Sequence, residues 1–325
     1  MLHIIKLWSG VALASMLMLG AASAQTVLKS SDTHPDGYPT VEGVKYFGEL
    51  VKERTAGRYA VEVYHSAQLG EEKDTIEQVR SGVIELNRVS MAPFNGTVKE
   101  SIVPALPYIF RSEDHMHKVM DGPIGDQIKA AFEPAGLVVL AFYDAGARSF
   151  YNAKKPIKSV DDMKGMKFRV IQSDIFVDMV AALGANATPM PYGEVYSSIE
   201  TGVIDGAENN FPSFDTAKHF EVAKNYSLDQ HTILPEVFVM NKAAFDKLTP
   251  EDQAIFKQAA KDSVAKQREL WVAKTLESRS NIEKAGVQIN EVEKQGFIDA
   301  MKPVYDKHIT DEVLKKLVAD VQAVQ

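Results

Sequence analysis

The chain has 325 residues, 45% hydrophobic and 25% charged, with a net charge of -8. That is the composition of a globular protein with one large domain or two of ordinary size. No basic stripe with interleaved aromatics is present, so nucleic acid is not an expected partner. The absence of cysteine excludes disulfides, thiolate metal sites and a lipid anchor on cysteine.

The first 24 residues read as an export signal. Lys6 precedes an apolar core from Leu7 to Gly20, and Ala22-Ser23-Ala24 is the small-residue pattern of signal peptidase. The expected mature chain starts at Gln25 and, in a bacterium, lies in the periplasm. No later segment is long and apolar enough to span a bilayer, so the product is not expected to be membrane-embedded.

"TVLKSS" then reads as a strand, and "PTVEGVKYFGELVKERTAG" as a helix with Val44, Phe47 and Val51 at helical spacing. "RYAVEVYH" alternates as a strand does, "GEEKDTIEQVRSG" is a helix closed by Gly82, and "VIELNRVS" is a short strand. Strand alternating with helix indicates a parallel α/β sheet. The second half repeats this with "LVVLAFY" and "MKFRV" as strands and helices ending at Gly184 and Gly202. "SGVIEL" and "TGVIDG" are alike, each a helix end, a glycine and a strand feeding polar residues, which suggests two similarly built lobes. From Thr249, an N-cap followed by Pro250 and acidic residues, no proline or glycine intervenes until Gly286. A helix of about 35 residues and roughly 50 Å is expected, long enough to tie both lobes together.

Few residues suggest chemistry. His115 and His117 fall on different faces of a helix and read as solvent-exposed, so neither a metal nor any other cofactor is expected. No nucleophile elbow, Walker loop or dinucleotide motif occurs, and the adjacent Glu71 and Glu72 cannot straddle one bond. An enzyme is therefore not expected. Two arginines remain, Arg148 close to the end of "LVVLAFY" and Arg169 inside "KFRV". Either could pair with a structural carboxylate. Two of them on neighbouring strands, with Asn209 and Asn210 of "AENN" beyond another, fit a ligand carboxylate better. On this reading the partner of Arg148 is the ligand. Tyr192 and Phe211 flank the same region, as core residues or as the apolar wall of a cleft.

The segments "AQLGEEKDTIEQVRSGVIEL", "ARSFYNAKKPIKSVDDMKGMKFRV", "ATPMPYGEVYSSIETGVIDGAENNFPSF" and "EVFVMNKAAFDKLTPEDQ" resemble the extracytoplasmic solute-binding proteins of tripartite ATP-independent periplasmic (TRAP) transporters. "SIETG" replaces a Leu-Gln pair found in many members. The resemblance implies an α/β, two-lobed, periplasmic-binding-protein-like fold with a long helix spanning both lobes. The lobes are expected at about residues 25–147 with 236–274, and 148–235 with 275–325. It also implies that Arg169 clamps a ligand carboxylate, Asn209 orients it, Arg148 contributes and Tyr192 helps wall the cleft. His34, Glu71, Glu72, Arg88 and Ser90 of the first lobe would set the remaining specificity. The "HPDGYPT" and "GARSFYN" forms look most like members that take hexuronates such as glucuronate or galacturonate. C4-dicarboxylates and 2-oxo acids are the alternatives within the family. A monomer delivering a small carboxylate to membrane permease subunits is the expected arrangement. Outside transport, the alternatives are a periplasmic sugar-acid enzyme using His34 or Tyr192 as base, and a binding protein that reports to a receptor.

Overall fold

The computed structural model describes residues 24–325; the export signal expected at residues 1–24 lies, but for its last residue, outside them. The first sheet contains β1 (Thr26–Ser31), β2 (Tyr59–Tyr64), β3 (Leu86–Ser90) and β4 (Leu137–Tyr143). The second contains β5 (Ala147–Asn152), β6 (Lys167–Val170), β7 (Asn186–Pro189), β8 (Gly206–Asn209) and β9 (Asn225–Ile233). The chain then returns to the first sheet as β10 (Glu236–Asn241), and β11 (Gln288–Glu291) joins the second. The strand orders are β2-β1-β3-β10-β4 and β11-β9-β5-β8-β6-β7. Two α/β lobes result, each built around one sheet.

The sheets are not wholly parallel, as the alternation of strand and helix suggested. The strands that carry the chain between lobes run antiparallel to their neighbours. β10 pairs antiparallel with β3 and β4, and β5 pairs antiparallel with β8 and β9. Because β4 runs into β5 and β9 into β10, the two crossovers pair with each other in both sheets.

The long helix forms as its sequence requires. It spans Pro250–Lys284, 35 residues, and the Thr249 hydroxyl accepts the N–H of Asp252 to cap it. Its first half packs Phe256, Ala259 and Ala260 with Phe47, Val51 and Phe238 of the first lobe. Its last turns pack Ile282 with Tyr151, Phe214 and Tyr226 of the second. Between these cores, Trp271 packs with Tyr38 and Ala145 at the first crossover. The Gln267 amide there bonds both backbone groups of Asp144, at 2.9 Å each. Gly146 follows with φ of +57°, where a Cβ would stand 3.0 Å from Trp271 Nε1. A side chain is excluded there by both conformation and space.

Two sequence expectations differ from this arrangement. The final helix, Glu312–Ala323, packs against the first lobe although its position in the chain assigned it to the second. Its buried Leu314, Leu317 and Val321 need an apolar face, and the His115 ring bonds the Val321 carbonyl at 3.0 Å. The histidines of "HMH" are accordingly not free surface side chains: His115 is buried, and His117 is only partly exposed and bonds the Asp144 carboxylate at 2.8 Å. Among the described residues, no helix is long and apolar enough to cross a membrane.

Candidate ligand-binding site

A polar cavity lies between the lobes, with about 330 Å³ of free space including its mouth. The second lobe supplies Arg148, Arg169, Ile171, Tyr192, Asn209, Asn210 and Ser213. The first supplies Thr33, His34, Glu72, Ser90 and Glu236. Most stand at or just beyond strand ends, where side chains of open α/β sheets converge.

Three arginines are buried around this site, and their environments differ sharply. Arg148 is 3% exposed and lies on β5, in the second lobe, beyond the crossover that separates it from "LVVLAFY". β8 runs between β5 and β6, so "AENN" stands between the two arginines and not outside them. Glu208 consequently reaches Arg148: Nε donates to Glu208 Oε2 at 2.6 Å and Nη2 to Oε1 at 3.0 Å. Nη2 also donates to the Glu208 carbonyl, and Nη1 to Asn209 Oδ1, both at 2.8 Å. This corrects the expectation from sequence. The partner of Arg148 is Glu208, although the guanidinium still borders the cavity.

Arg88 is fully buried and does not line the cavity. It is held by Asp32 through Nε at 2.7 Å and a second short contact, and by Glu236 through Nη1 at 2.6 Å. Its place is behind the wall, where it pairs with Asp32 and Glu236 and offsets part of their charge.

Arg169 is 4% exposed and stands apart from both. Nε donates to the Met190 carbonyl at 3.0 Å, which orients the fork, and the Tyr192 ring lies 5.8 Å away. Among the described residues no carboxylate comes within ion-pair distance of it, whereas Arg148 has Glu208 and Arg88 has both Asp32 and Glu236. Burial pushes the Arg169 guanidinium below its ordinary pKa, and Glu208 offsets only part of that. A buried guanidinium whose terminal nitrogens have no partner among the described residues suits an incoming carboxylate.

Asn209 completes this end of the site. Its Oδ1 accepts from Arg148 Nη1 and from the Asn210 N–H, which leaves the Nδ2 donors for the cavity. Asn210 lines the cavity and caps the helix Phe211–Thr216, accepting the Ser213 N–H at 2.8 Å. Phe211 does not face the cavity; it is half-buried and stacks on Tyr226 at 4.7 Å at the edge of the second-lobe core.

Behind Arg148 runs a buried chain of charges. His231 bonds Asp229 at 2.7 Å through Nδ1 and Glu208 at 3.2 Å through Nε2. Burial alone would lower the His231 pKa, but Asp229 and Glu208 outweigh it and hold the ring at about 9. Burial would raise Glu208, but Arg148 and His231 hold it at about 2.

The first-lobe wall is acidic. The Ser90 N–H donates to Glu72 Oε1 at 2.8 Å, and the Ser90 hydroxyl to Glu236 Oε1 at 3.0 Å. His34 stacks on Tyr38 at 3.8 Å, and its Nδ1 has no protein partner among the described residues. Burial, with Arg88 and Arg148 nearby, holds the His34 pKa well below its usual value, so the ring is neutral. Glu71 does not line the cavity; it accepts the Gly193 N–H across the cleft at 3.2 Å. Tyr38 likewise reaches the Ser213 hydroxyl at 2.8 Å, and Ser173 reaches Asn95 at 2.7 Å. These contacts join residues of opposite lobes, so the structure is the closed form.

Thr33, Ile171, Ser213 and Glu236 are cavity residues that sequence reasoning misses. Glu236 alone carries a local signal, an acid opening the apolar strand "EVFVMN".

The model of bacterial extracellular solute-binding proteins, family 7 (DctP), matches residues 30–312. A solute-binding protein of Chromohalobacter salexigens is 42% identical over 99% of this chain and 98% of its own. A TRAP periplasmic solute-binding protein from Bradyrhizobium, solved with galacturonate, is 51% identical with a TM-score of 0.89, covering 91% of this chain and 99% of that one. Another from Xanthobacter autotrophicus, solved with β-D-galacturonate, is 47% identical with a TM-score of 0.90, covering 92% and 100%. With its two lobes, crossover strands and arginine-bearing cleft, the chain belongs to family 7 of the bacterial extracellular solute-binding proteins, the binding component of TRAP transporters.

Proposed function

We propose that this protein captures a sugar acid in the periplasm, a hexuronate such as galacturonate or glucuronate, and hands it to the membrane permease of a TRAP transporter. The observation that carries this reading is Arg169, a buried guanidinium with no carboxylate of its own among the described residues. The ligand carboxylate docks on its fork, with Asn209 Nδ2 as a second donor. The hydroxyls turn to Glu72, Glu236 and Ser90, which offer acceptors a 2-oxo acid would use poorly. The solved relatives that hold galacturonate support the same class.

The chemistry is binding. Contacts to both lobes stabilise the closed form over the open one, so ligand shifts a hinge equilibrium. Calorimetry against hexuronates, hexonates and 2-oxo acids tests the reading, and a hexuronate is expected to bind most tightly. Tighter binding of a 2-oxo acid would overturn the ligand class, and conversion of a uronate to product would overturn the binding role.

A further inference from the structure

The first-lobe wall holds more negative charge than its one guanidinium balances. Asp32, Glu72 and Glu236 gather around Arg88; all but the partly exposed Glu72 are buried. Asp32 is engaged with Arg88 and also accepts the His34 N–H at 2.8 Å and the Thr40 hydroxyl at 3.1 Å. Glu236 takes one bond from Arg88 and one from Ser90. Glu72 stands 3.9 Å from Arg88 Nη1 and uses Oε1 for the Ser90 N–H. Glu72 and Glu236 are thus the carboxylates that border the cavity, and among the described residues no cation on that wall faces inward. Burial raises the Glu236 pKa, Arg88 opposes this, and Glu72 adds to it, which shows how crowded the negative charge is.

We propose that Glu72 and Glu236 form a charge filter that accepts ligand hydroxyls and rejects a second carboxylate, so the site takes sugar monoacids and refuses sugar diacids. The inference rests on the carboxylate of the ligand occupying Arg169. A hexuronate then presents only hydroxyls to the two glutamates, whose free lone pairs accept them. An aldarate, oxidised at both ends, or a C4-dicarboxylate would bring a second anion to buried carboxylates with no cation left to meet it. The residues therefore select by repulsion as well as by attraction.

Calorimetry with galacturonate, galactarate and succinate tests this in the wild-type protein and in Glu72→Gln and Glu236→Gln. The amide carbonyl introduced by Glu72→Gln can still accept the Ser90 N–H. The wild type is expected to bind galacturonate at least about 100-fold more tightly than either diacid. Each variant should narrow that gap to about tenfold or less, mainly by improving diacid binding. Glu236 is buried and its variant can fail to fold, in which case the partly exposed Glu72 decides. Equal wild-type affinity for the uronate and a diacid overturns the filter and leaves the hexuronate reading intact. An unchanged ratio in the folded variants does the same. No binding of any sugar acid overturns the hexuronate reading, and the filter with it.

Discussion

Arg148 and Arg169 are alike in burial and opposite in partnership, so replacing each by methionine should have opposite consequences. Arg169→Met removes a buried cation that makes one hydrogen bond among the described residues, to the Met190 carbonyl. The lost bond is worth about 1 kcal/mol, and relief from burying an unpaired charge is at least as large. Ligand-free stability should therefore stay level or rise, with each 1 kcal/mol shifting the melting temperature by about 2–4 °C. Arg148→Met instead takes from Glu208 its guanidinium, which makes two bonds to the carboxylate and one to the carbonyl, and leaves the buried carboxylate only the His231 ring. Breaking a buried pair from one side costs about 3–5 kcal/mol, a fall of about 6–20 °C. Binding should sort the variants again. Arg169→Met should weaken uronate affinity by about 100- to 1,000-fold and abolish the thermal shift that ligand produces. Arg169→Lys should also bind poorly, since a compact ammonium does not reproduce the fork. Scanning fluorimetry with and without uronate, followed by calorimetry, reads every arm. A ligand-free melting temperature that falls as far in Arg169→Met as in Arg148→Met, or a retained ligand shift, would falsify the division of roles.

Other tests address the network and the closed form. His231 has its pKa raised from 6.5 to about 9, so its contribution to stability is full below pH 6.5 and disappears as pH rises through about 9. Denaturation across that window should show a loss of about 3 kcal/mol in the wild type that His231→Asn lacks, and parallel curves would remove the charged ring from the account. Gly193→Ala places a Cβ 2.6 Å from Glu71 Oε1, so uronate should dissociate several-fold faster while binding at the same rate; unchanged stopped-flow dissociation contradicts the close approach. Tyr38→Phe removes the bond to Ser213, and affinity should fall about fivefold; a wild-type binding constant would leave that contact without weight in closure. Thr249→Ala should cost about 1 kcal/mol in urea denaturation through the lost cap, and an unchanged midpoint would mean the first turn is held by packing alone.

What is legible in the sequence depends on how local its cause is. The long helix is readable because its cap, first turn and uninterrupted run lie in one segment. Arg169 is readable because it interrupts a short apolar strand. The role of Arg148 is not, because its partner arrives from β8, 60 residues away, and only the strand order places Glu208 beside it. Arg88 misleads for the same reason: "NRVS" gives no hint of Asp32 or of Glu236, 148 residues on. Glu71 and Glu72 are adjacent in sequence, yet one bridges the lobes and the other faces the cavity, because one precedes the helix Glu72–Ser81 and the other begins it. Phe211 is drawn to the cleft by its neighbours "ENN", but the asparagine cap before it turns the chain and lays the ring against the edge of the second-lobe core.

The contacts that bridge the cleft, Glu71 with Gly193, Tyr38 with Ser213 and Asn95 with Ser173, include no ion pair. Added salt screens separated exposed charges strongly and such short hydrogen bonds, of which one is to the Glu71 carboxylate, far less. Ionic strength should thus act on the first encounter, where an anion approaches a chain of net charge -8, and leave the closing step alone. Capture and retention become kinetically separable: a cell could pass between dilute and saline surroundings, changing how often the cleft is visited without changing how long it holds what it has caught.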